Sequence, residues 1–286
     1  MPACRQRGRA AAQEKTLSPG NPLKKRAYGT DALAVVAAGL LLAGFLLFHG
    51  AELLNSGPHL YGALAVTLAF SLLALAARGV GPSGALAGGA IAFIMAGRET
   101  RMFWVLLLVF FLTLAATRLG DSRKRQLKVA ESRTGRTASQ VMANLFFAGL
   151  TTAVPPVHAW QLLALAAMAE LTADTTSSEI GTAFPGKTLL ITSWEPVAPG
   201  TDGGISIGGT LAGSAAAMIV AACAFALGLT TLSGAAVVTA AAILGALVDS
   251  FLGALLERRG RLNNDAVNLL STGAAVGIAS LLIMAL

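Results

Sequence analysis

Long apolar blocks separated by short polar segments dominate the chain from residue 31 onward. A helix that crosses a bilayer needs about 20 mainly apolar residues. Nine blocks approach that length: 31–48, 60–77, 83–97, 102–118, 139–154, 157–173, 210–229, 234–256 and 266–286. Several are short, so we expect seven to nine spans. The blocks lack the two-residue alternation of a lipid-facing strand, and they therefore predict an all-α membrane protein, a polytopic helical bundle.

Composition agrees with this class of protein. Hydrophobic residues make up 55% of the chain and charged residues 12%, and the mean hydropathy is +0.70. Gly84 and Gly88 have the spacing at which small residues let two helices approach closely. The two cysteines, Cys4 and Cys223, form no C-x-x-C motif and predict neither a disulfide nor a structural zinc site.

The distribution of basic residues predicts the orientation. Residues 1–30 are basic and have no apolar core, so we expect a disordered cytoplasmic tail before a single transmembrane domain over 31–286. With nine spans and the N-terminus inside, only Arg98 and Arg101 of the 21 Lys and Arg fall outside, which follows the positive-inside rule. The expected cytoplasmic loops are about 118–138, 174–209 and 257–265.

This orientation predicts an integral protein of the inner (plasma) membrane of the cell, with a site that faces the cytoplasm. The net charge of +7 then reflects topology and attraction to lipid. No basic patch is interleaved with aromatic residues, so we expect no nucleic-acid partner.

The same topology separates the histidines from the carboxylates. His49, His59 and His158 fall in outer connections, whereas most acidic residues fall near the cytoplasmic face. This separation argues against a metal centre of histidine and carboxylate ligands and against a Ser/His/Asp triad.

The most informative motif is A-D-T-T-S-S-E-I-G, from Ala173 to Gly181, which ends an apolar block. A carboxylate at the centre of a membrane helix costs about 2.5–3.5 kcal/mol on insertion scales, so such residues are usually functional. Asp174 follows Glu170 by four residues and Glu179 lies one turn further on. Oxygen ligands of this kind suit Mg²⁺, which keeps waters for substrate phosphates. The alternative is a polar helix end capped by Asp174.

A second motif, G-T-D-G-G-I-S-I-G-G-T from Gly200 to Thr210, precedes a long helix. Its glycines would let backbone N–H groups surround a phosphate, and Thr210 is a candidate helix cap. The alternative is a flexible turn.

Gly181 to Thr188 formally matches the P-loop pattern G-x-x-x-x-G-K-T. A P-loop follows a strand and opens a helix, whereas this stretch follows an apolar block and leads into T-L-L-I-T-S-W, which is typical of a strand. We therefore expect no P-loop fold, only a phosphate contact from Lys187 and a hairpin between this strand and Gly204–Ile207.

Further polar residues recur inside the apolar blocks. Arg136, Gln140 and Asn144 share one helix face, where donors could meet an anionic group or simply link helices. Asp249 is either part of a site or a salt-bridge partner of Arg258. In N-N-D-A-V-N, Asn264 and Asp265 begin the last block, either as site residues or as a helix cap.

These motifs, in this order from about Leu60 to Leu286, resemble a family of membrane proteins that includes plant phytyl-phosphate kinase and many uncharacterised bacterial and archaeal relatives. The resemblance rests on R-T-A-S-Q-V-M-A-N, the acidic and glycine-rich motifs, the Asp249-Ser250 pair and N-N-D-A-V-N. It departs from the family pattern at Thr176, where an aromatic residue is common, and at Leu145, where glycine is common.

The resemblance implies a kinase that transfers a phosphate from a nucleoside triphosphate, CTP in the plant enzyme, to an isoprenoid monophosphate. It implies the acidic motif at Asp174 and Glu179, and the glycine-rich loop at Gly203, Gly204, Ser206, Gly209 and Thr210. The remaining matched polar positions are Arg136, Gln140, Asn144, Asp249, Asn264 and Asp265.

Together these interpretations predict a site for phosphoryl transfer. Mg²⁺ would bind among Asp174, Glu179, Asp202 and Asp249, and Arg136 with Lys187 would hold the acceptor phosphate. The expected partners are a nucleoside triphosphate, an isoprenoid monophosphate and the lipid bilayer. Two alternatives stay open, a secondary transporter with an acidic ion site and a nucleotidyltransferase that acts on a lipid phosphate.

Overall fold

The computed structural model describes residues 22–127, 134–154, 159–184 and 186–285. In chain order these residues form α1 (Pro22–Asn55), α2 (Pro58–Ala76), α3 (Pro82–Arg98), α4 (Thr100–Arg118), α5 (Asp121–Leu127), α6 (Ala138–Ala153), α7 (Trp160–Ala183), β1 (Thr188–Leu190), β2 (Pro196–Val197), β3 (Gly204–Ile205), α8 (Ile207–Ala226), α9 (Leu232–Leu252) and α10 (Asn264–Met284). A π-helical turn, Gly253–Glu257, continues α9.

The helix starts follow local sequence signals. α2 and α3 begin with a proline directly after a glycine, where the missing proline N–H costs nothing. The side chains of Ser206, Thr231 and Asn263 cap α8, α9 and α10, each accepting a hydrogen bond from the backbone N–H three residues on, at 3.0–3.1 Å. The prediction that Thr210 caps α8 is therefore wrong, because the helix begins one turn earlier, at Ile207.

Each predicted apolar block lies in one of the long helices, but three boundaries differ from the prediction. α1 already begins at Pro22, inside the expected tail, and the rest of that tail, residues 1–21, lies outside the described residues. The expected loop 118–138 contains the short helix α5. The expected loop 174–209 begins ten residues too early, because α7 continues to Ala183.

The acidic motif is helical for a physical reason. Its small hydroxyl side chains bond back to the helix backbone, Ser177 to the Asp174 carbonyl (3.0 Å) and Ser178 to the Thr175 carbonyl (3.1 Å). No proline interrupts the run before the helix ends. Asp174 and Glu179 are therefore held on a regular helix rather than on a loop.

Helix α7 lies at the centre of the bundle. Every residue from Leu163 to Ala173 is buried, and the helix contacts α4, α6, α8, α9 and α10. The contact with α8 is backbone to backbone, because a Cβ at Gly213 would lie 2.5 Å from the Ala173 carbonyl oxygen and one at Gly209 would lie 2.5 Å from that of Ser177. Glycines four residues apart thus allow the close approach.

In the described ranges of the chain, length and hydropathy qualify six helical segments as candidate membrane spans: Thr30–Asn55, Pro58–Ala76, Thr100–Arg118, Ile207–Ala226, Leu232–Glu257 and Asn264–Met284. This is fewer than the seven to nine expected, and the nine-span topology stays a prediction. α3 and α6 have only 17 and 16 residues. α7 is long enough but carries Glu170, Asp174 and a run of Thr and Ser, which a helix enclosed by protein can accommodate.

A small sheet closes one end of the bundle. β1 is central and pairs antiparallel with β2 on one side and β3 on the other, with Leu189 opposite Ile205. Leu190 and Ile191 pack against Ala254 in the π-helical turn after α9. The G-K-T segment thus joins a helix to a strand, the reverse of the P-loop order.

His49 and His59 lie at the opposite end of the bundle from this sheet. His49 bonds to Arg98, and the His59 ring nitrogen Nε2 bonds to the Gly97 carbonyl at 3.0 Å. Both partners are at the C-terminal end of α3, about 24 Å along the helix from its start. His158 is outside the described residues.

We predict that Gly213→Ala destabilises the protein by about 1–3 kcal/mol, because the added methyl group would force α8 away from Ala173. Gly208→Ala, in the same helix with nothing within 4 Å of the new Cβ, is the control and should be neutral or slightly stabilising. Thermal unfolding of both variants in detergent tests this. Equal melting temperatures would contradict the close α7–α8 packing.

Candidate functional site

A polar cavity of about 400 Å³ lies where α7 and α9 end and α6, α8 and α10 begin. It is lined by side chains or backbone from all five of these helices, from α5 and from the segment around β3. Most of the predicted site residues line it: Arg136, Gln140, Asn144, Asp174, Glu179, Asp202, Gly203, Gly204, Ser206, Thr210, Asp249 and Asn264. Segments more than 120 residues apart in sequence thus meet in one space.

Three predicted site residues are placed elsewhere. Lys187 is exposed just before β1 and is not part of the lining, so its expected contact with the acceptor phosphate has no basis in this position. Gly209 packs against the α7 backbone at Ser177. Asp265 accepts a hydrogen bond from the Ser139 hydroxyl and joins α10 to α6.

The centre of the cavity holds two carboxyl groups that face each other. Asp174 on α7 and Asp249 on α9 are within hydrogen-bonding reach of one another. Asp249 Oδ2 is buried without a hydrogen-bond partner among the described residues, and Asp249 forms no salt bridge with Arg258 there, which removes the structural explanation considered for it. Two carboxyl groups in this arrangement need a proton or a cation between them.

Glu170 lies one turn deeper on α7 than Asp174. It is 1% exposed, and neither of its carboxylate oxygens has a hydrogen-bond partner among the described residues. The Ser271 hydroxyl faces both Glu170 and Asp249 but donates to the Asn268 carbonyl at 3.1 Å. The acidic side chains therefore continue from the cavity into the interior of the bundle.

Glu179 has a different environment from the other acidic residues. Lys124 of α5 donates a hydrogen bond to its Oε2 at 2.5 Å, and the two side chains are 2% and 13% exposed. Lys124 also donates to the backbone carbonyls of Ala116 and Thr117 at the end of α4. Glu179 therefore ties α7 to α4 and α5, a structural role that the sequence did not predict.

The rim of the cavity near the sheet is also acidic. Asp202 precedes β3, and Glu257 ends the π-helical turn close enough to interact electrostatically with Asp202 and Asp249. Between them Gly203 has a φ of +74°, and its backbone touches Ala254, so only glycine fits there. Gly203 and Gly204 thereby present backbone rather than side chains to the cavity.

The basic side of the cavity begins at Arg136. Its backbone is fixed by two hydrogen bonds to the α2–α3 connection, from Gly81 N to Arg136 O (2.9 Å) and from Arg136 N to Gly79 O (3.1 Å). Gly84 packs against the Arg136 carbonyl so closely that any side chain there would collide with it. The guanidinium interacts electrostatically with Asp174.

Gln140 and Asn144 share one face of α6 and line the cavity, as their spacing predicted, whereas Arg136 precedes the helix and pairs with Val80, so the prediction that it shares this helix face is wrong. Both amide side chains have local roles as well. Gln140 Oε1 accepts from the Thr137 N–H (2.9 Å), and Asn144 Nδ2 donates to the Gln140 carbonyl (2.9 Å). Asn264 and Asn268 of α10 face them across the cavity, while the capping role belongs to Asn263.

Sequence reasoning missed Lys124 and Glu257. Lys124 stands in a basic run, R-K-R, and Glu257 is followed by two arginines, so both resemble charges at a helix end. No local pattern distinguishes the buried member of R-K-R from its exposed neighbours. The signal for Glu257 would have been its spacing of two turns from Asp249 on the same helix.

The residues present fit a divalent cation that relies on its substrate for further ligands. Among the described residues no three His, Cys, Asp or Glu side chains are close enough together to hold a metal ion on their own. The expected set of Asp174, Glu179, Asp202 and Asp249 is therefore not a preformed cage. A pair such as Asp174 and Asp249 still suits Mg²⁺, which commonly uses one or two carboxylates, waters and substrate phosphates.

We predict that Lys124→Met destabilises the protein by about 3 kcal/mol, because it leaves Glu179 without its partner in a mostly buried position. Arg125→Met is the matched control, since its ion pair with Asp121 is exposed and worth about 0.3–0.5 kcal/mol. The double variant Lys124→Met with Glu179→Gln should recover part of the loss. Melting temperatures in detergent measure all three, and equal losses for Lys124→Met and Arg125→Met would contradict a buried ion pair.

The whole cavity lies inside the region of the chain that matches a known protein family. The family described as integral membrane protein DUF92 matches residues 65–276, which include every lining residue. An uncharacterized membrane protein of Synechocystis is 36% identical over 198 residues, 65% of this chain and 76% of the relative. One of Methanocaldococcus jannaschii is 38% identical over 185 residues, 62% and 75% of the two chains.

A plant protein is among the more distant relatives. The chloroplastic protein VTE6 of Arabidopsis thaliana is 32% identical over 183 residues, 59% of this chain and 55% of the relative. No solved structure matches the chain. The match to the family covers well over half of the sequence, and the chain therefore belongs to the DUF92 family of integral membrane proteins.

Proposed function

We propose that this protein is a membrane-embedded kinase. It transfers the terminal phosphate of a nucleoside triphosphate, CTP as the first candidate, to an isoprenoid monophosphate such as phytyl or geranylgeranyl phosphate, giving the diphosphate. The supporting observation is that a carboxylate pair, a glycine backbone and an arginine-led polar helix face meet in one cavity. The resemblance of the sequence motifs to the family that includes plant phytyl-phosphate kinase supports the same role.

The acidic and glycine-lined side of the cavity suits the donor. Asp174 and Asp249 would hold Mg²⁺, which neutralises charge on the donor phosphates when it is bound. The backbone of Gly203 and the hydroxyl of Thr210 lie near the start of α8, where a helix N-terminus favours a phosphate, whereas the Gly204 N–H already donates to the Thr201 carbonyl at 2.8 Å. Asp202 and Glu257 are at the rim, where further metal or nucleotide contacts would form.

The α6 side suits the acceptor. Arg136 offers a planar fork of donors that matches a phosphate, and Gln140 and Asn144 add amide groups on the same face. An oxygen of the acceptor monophosphate would attack the terminal phosphorus of the donor, and the bond from that phosphorus to the leaving diphosphate oxygen would break. The acceptor oxygen is already largely ionised at neutral pH, so the protein only has to position two anions and balance their charge.

The proposal places this cavity at the cytoplasmic face of the inner membrane, where nucleotides are available. Basic residues concentrate at this end of the bundle, among them Arg78, Arg118, Lys124 and Arg125. Such a concentration is typical of the cytoplasmic side. A secondary transporter would instead need an ion site reachable from both sides in turn, whereas the cavity opens at the end away from His49 and His59.

We predict that purified protein with CTP, Mg²⁺ and geranylgeranyl phosphate releases CDP, and that Asp174→Asn lowers the rate at least about 100-fold, since one carboxylate of the pair is lost. Glu195→Gln, an exposed acidic residue next to β2, is the control and should keep the wild-type rate. CDP release is measured with all four nucleoside triphosphates and in vesicles of both orientations.

A wild-type rate in a folded Asp174→Asn variant would remove the metal-binding role of this residue. Ion-dependent uptake into proteoliposomes without nucleotide turnover would favour the transporter. Release of pyrophosphate instead of CDP would favour the nucleotidyltransferase.

We predict that Arg136→Lys raises KM for the acceptor about tenfold and leaves KM for CTP within about twofold, because lysine keeps the charge but loses the fork of donors. The backbone of residue 136 should keep its place, since it is held by Gly79 and Gly81. Arg259→Lys, an exposed change, is the control. Initial rates at varied concentrations of each substrate separate the two constants, and an equal rise in both would contradict an acceptor-specific role.

A further inference from the structure

A second cavity of about 400 Å³ lies between α2, α3, α4 and α6, beside the polar cavity. Apolar side chains form most of its surface: Phe70, Leu106, Val109, Phe110, Leu114 and Val141. Thr113, a polar residue in its wall, already donates to the Val109 and Phe110 carbonyls. The walls therefore offer hydrocarbon contact and few hydrogen bonds.

The cavity is long and has one charged end. Four lining residues of α4 are spaced by four, Arg118, Leu114, Phe110 and Leu106, and so lie along one face. Arg118 follows Leu106 by twelve residues, which corresponds to about 18 Å along the helix. Four arginines and one carboxylate lie at the charged end: Arg78, Arg118, Arg125, Arg136 and Asp121, of which Asp121 is paired with Arg125 at 2.9 Å. At the other end Phe70 packs edge to face on Phe103 (5.8 Å between ring centres) and closes the space.

The two cavities meet at α6. Arg136 and Asn144 line both of them. The charged end of the apolar cavity is thus the same place at which the acceptor phosphate is expected next to the donor. A molecule with an anionic head at Arg136 would have an apolar channel for whatever is attached to that head.

Glycines on α3 keep this channel open. Gly88 lines it, and a Cβ there would meet its nearest neighbour, Val141 Cγ1, at 3.7 Å, an ordinary contact distance. Gly88 lies six residues into α3, about 9 Å along the helix and close to half the length of the channel. A larger side chain at this position would divide the channel.

We propose that the apolar cavity holds the hydrocarbon tail of a single-chain lipid monophosphate, with its head at Arg136 and its end against Phe70 and Leu106. The depth of the cavity then sets the longest chain that fits. A volume of about 400 Å³ suits one chain rather than two. The assignment of this molecule as the phosphoryl acceptor rests on the proposed kinase activity, whereas its binding does not.

The experiment measures equilibrium binding to the full-length protein in nanodiscs without nucleotide. The probes are geranyl, farnesyl and geranylgeranyl phosphate, with inorganic phosphate and dioleoyl phosphatidic acid as the other sources of the same head group. We expect affinity to rise with prenyl chain length, by up to about fourfold per buried methylene group. Inorganic phosphate and phosphatidic acid should bind at least about tenfold more weakly than geranylgeranyl phosphate.

The variant Gly88→Leu should weaken binding of geranylgeranyl phosphate at least about tenfold and change that of geranyl phosphate by less than about twofold. Gly88→Ala should have a smaller effect in the same direction. Gly62→Leu is the matched control, because this helical glycine of α2 has nothing within 4 Å of its Cβ position and is exposed. Gly62→Leu should leave the dependence of affinity on prenyl chain length unchanged.

Any one of three results would overturn the tail site. These are equal affinity for prenyl phosphates of all lengths, affinity for phosphatidic acid equal to that for geranylgeranyl phosphate, and a folded Gly88→Leu variant whose affinity depends on chain length as in the wild type. Chain-dependent binding without any CDP release would retain the tail site and remove the kinase. CDP release with a rate independent of chain length in both wild type and Gly88→Leu would retain the kinase and remove the tail site.

Discussion

The burial of α7 is the constraint on which the rest of this structure depends. A helix enclosed by five others can carry acidic residues that a lipid-facing helix could not, because its neighbours rather than the bilayer surround them. The neighbours can surround it closely only where they have no side chains, as at Gly209 and Gly213 of α8 and Gly245 of α9. The position of Asp174 relative to Asp249 follows from these contacts.

The same burial makes the polar groups of α7 depend on precise local partners. Three of its hydroxyl side chains, those of Thr172, Ser177 and Ser178, bond to carbonyls of their own helix, Thr172 to that of Met168 at 2.6 Å. Glu179 forms an ion pair with Lys124, whereas Asp174 lines an open cavity. Neither carboxylate oxygen of Glu170 has a hydrogen-bond partner within the described part of the chain, and a carboxyl group in that place needs a proton or a cation to be stable. The arrangement resembles a binding site more than a packed core, since stability alone would favour an apolar residue there.

Much of the site could be predicted from sequence because its elements are regular. The spacing of Gln140 and Asn144 defines one face of a helix wherever that helix packs, and the acidic and glycine-rich motifs stand out against apolar surroundings. What could not be predicted depends on neighbours distant in sequence. Lys124 reaches Glu179 across 55 residues, and Gly209 touches α7 rather than the cavity. The spacing of residues along the sequence does not show which face of α8 packs against α7.

The helix lengths were also misjudged at the point where hydropathy stops being a guide. The acidic motif lowers the apparent hydrophobicity of α7, so its last ten residues read as a loop, although hydroxyl groups and the neighbouring helices keep them helical. Pattern analysis detects helices that face lipid more easily than helices that face protein. In this family member the candidate site residues of α7 belong to the second kind.

The shortness of α3 and α6 has a consequence for the surrounding bilayer. At 17 and 16 residues they are about 24–26 Å long, less than the roughly 30 Å of a typical hydrocarbon core. α6 begins at the polar cavity and α3 begins at the neighbouring apolar cavity, so the floor of the polar cavity lies below the level of the lipid head groups, or the head groups are drawn inward to meet it. Such mismatch costs fractions of a kcal/mol per ångström. The thickness of the membrane would therefore change how deep the polar cavity lies, and this cavity is where a water-soluble donor and a lipid-soluble acceptor would have to meet.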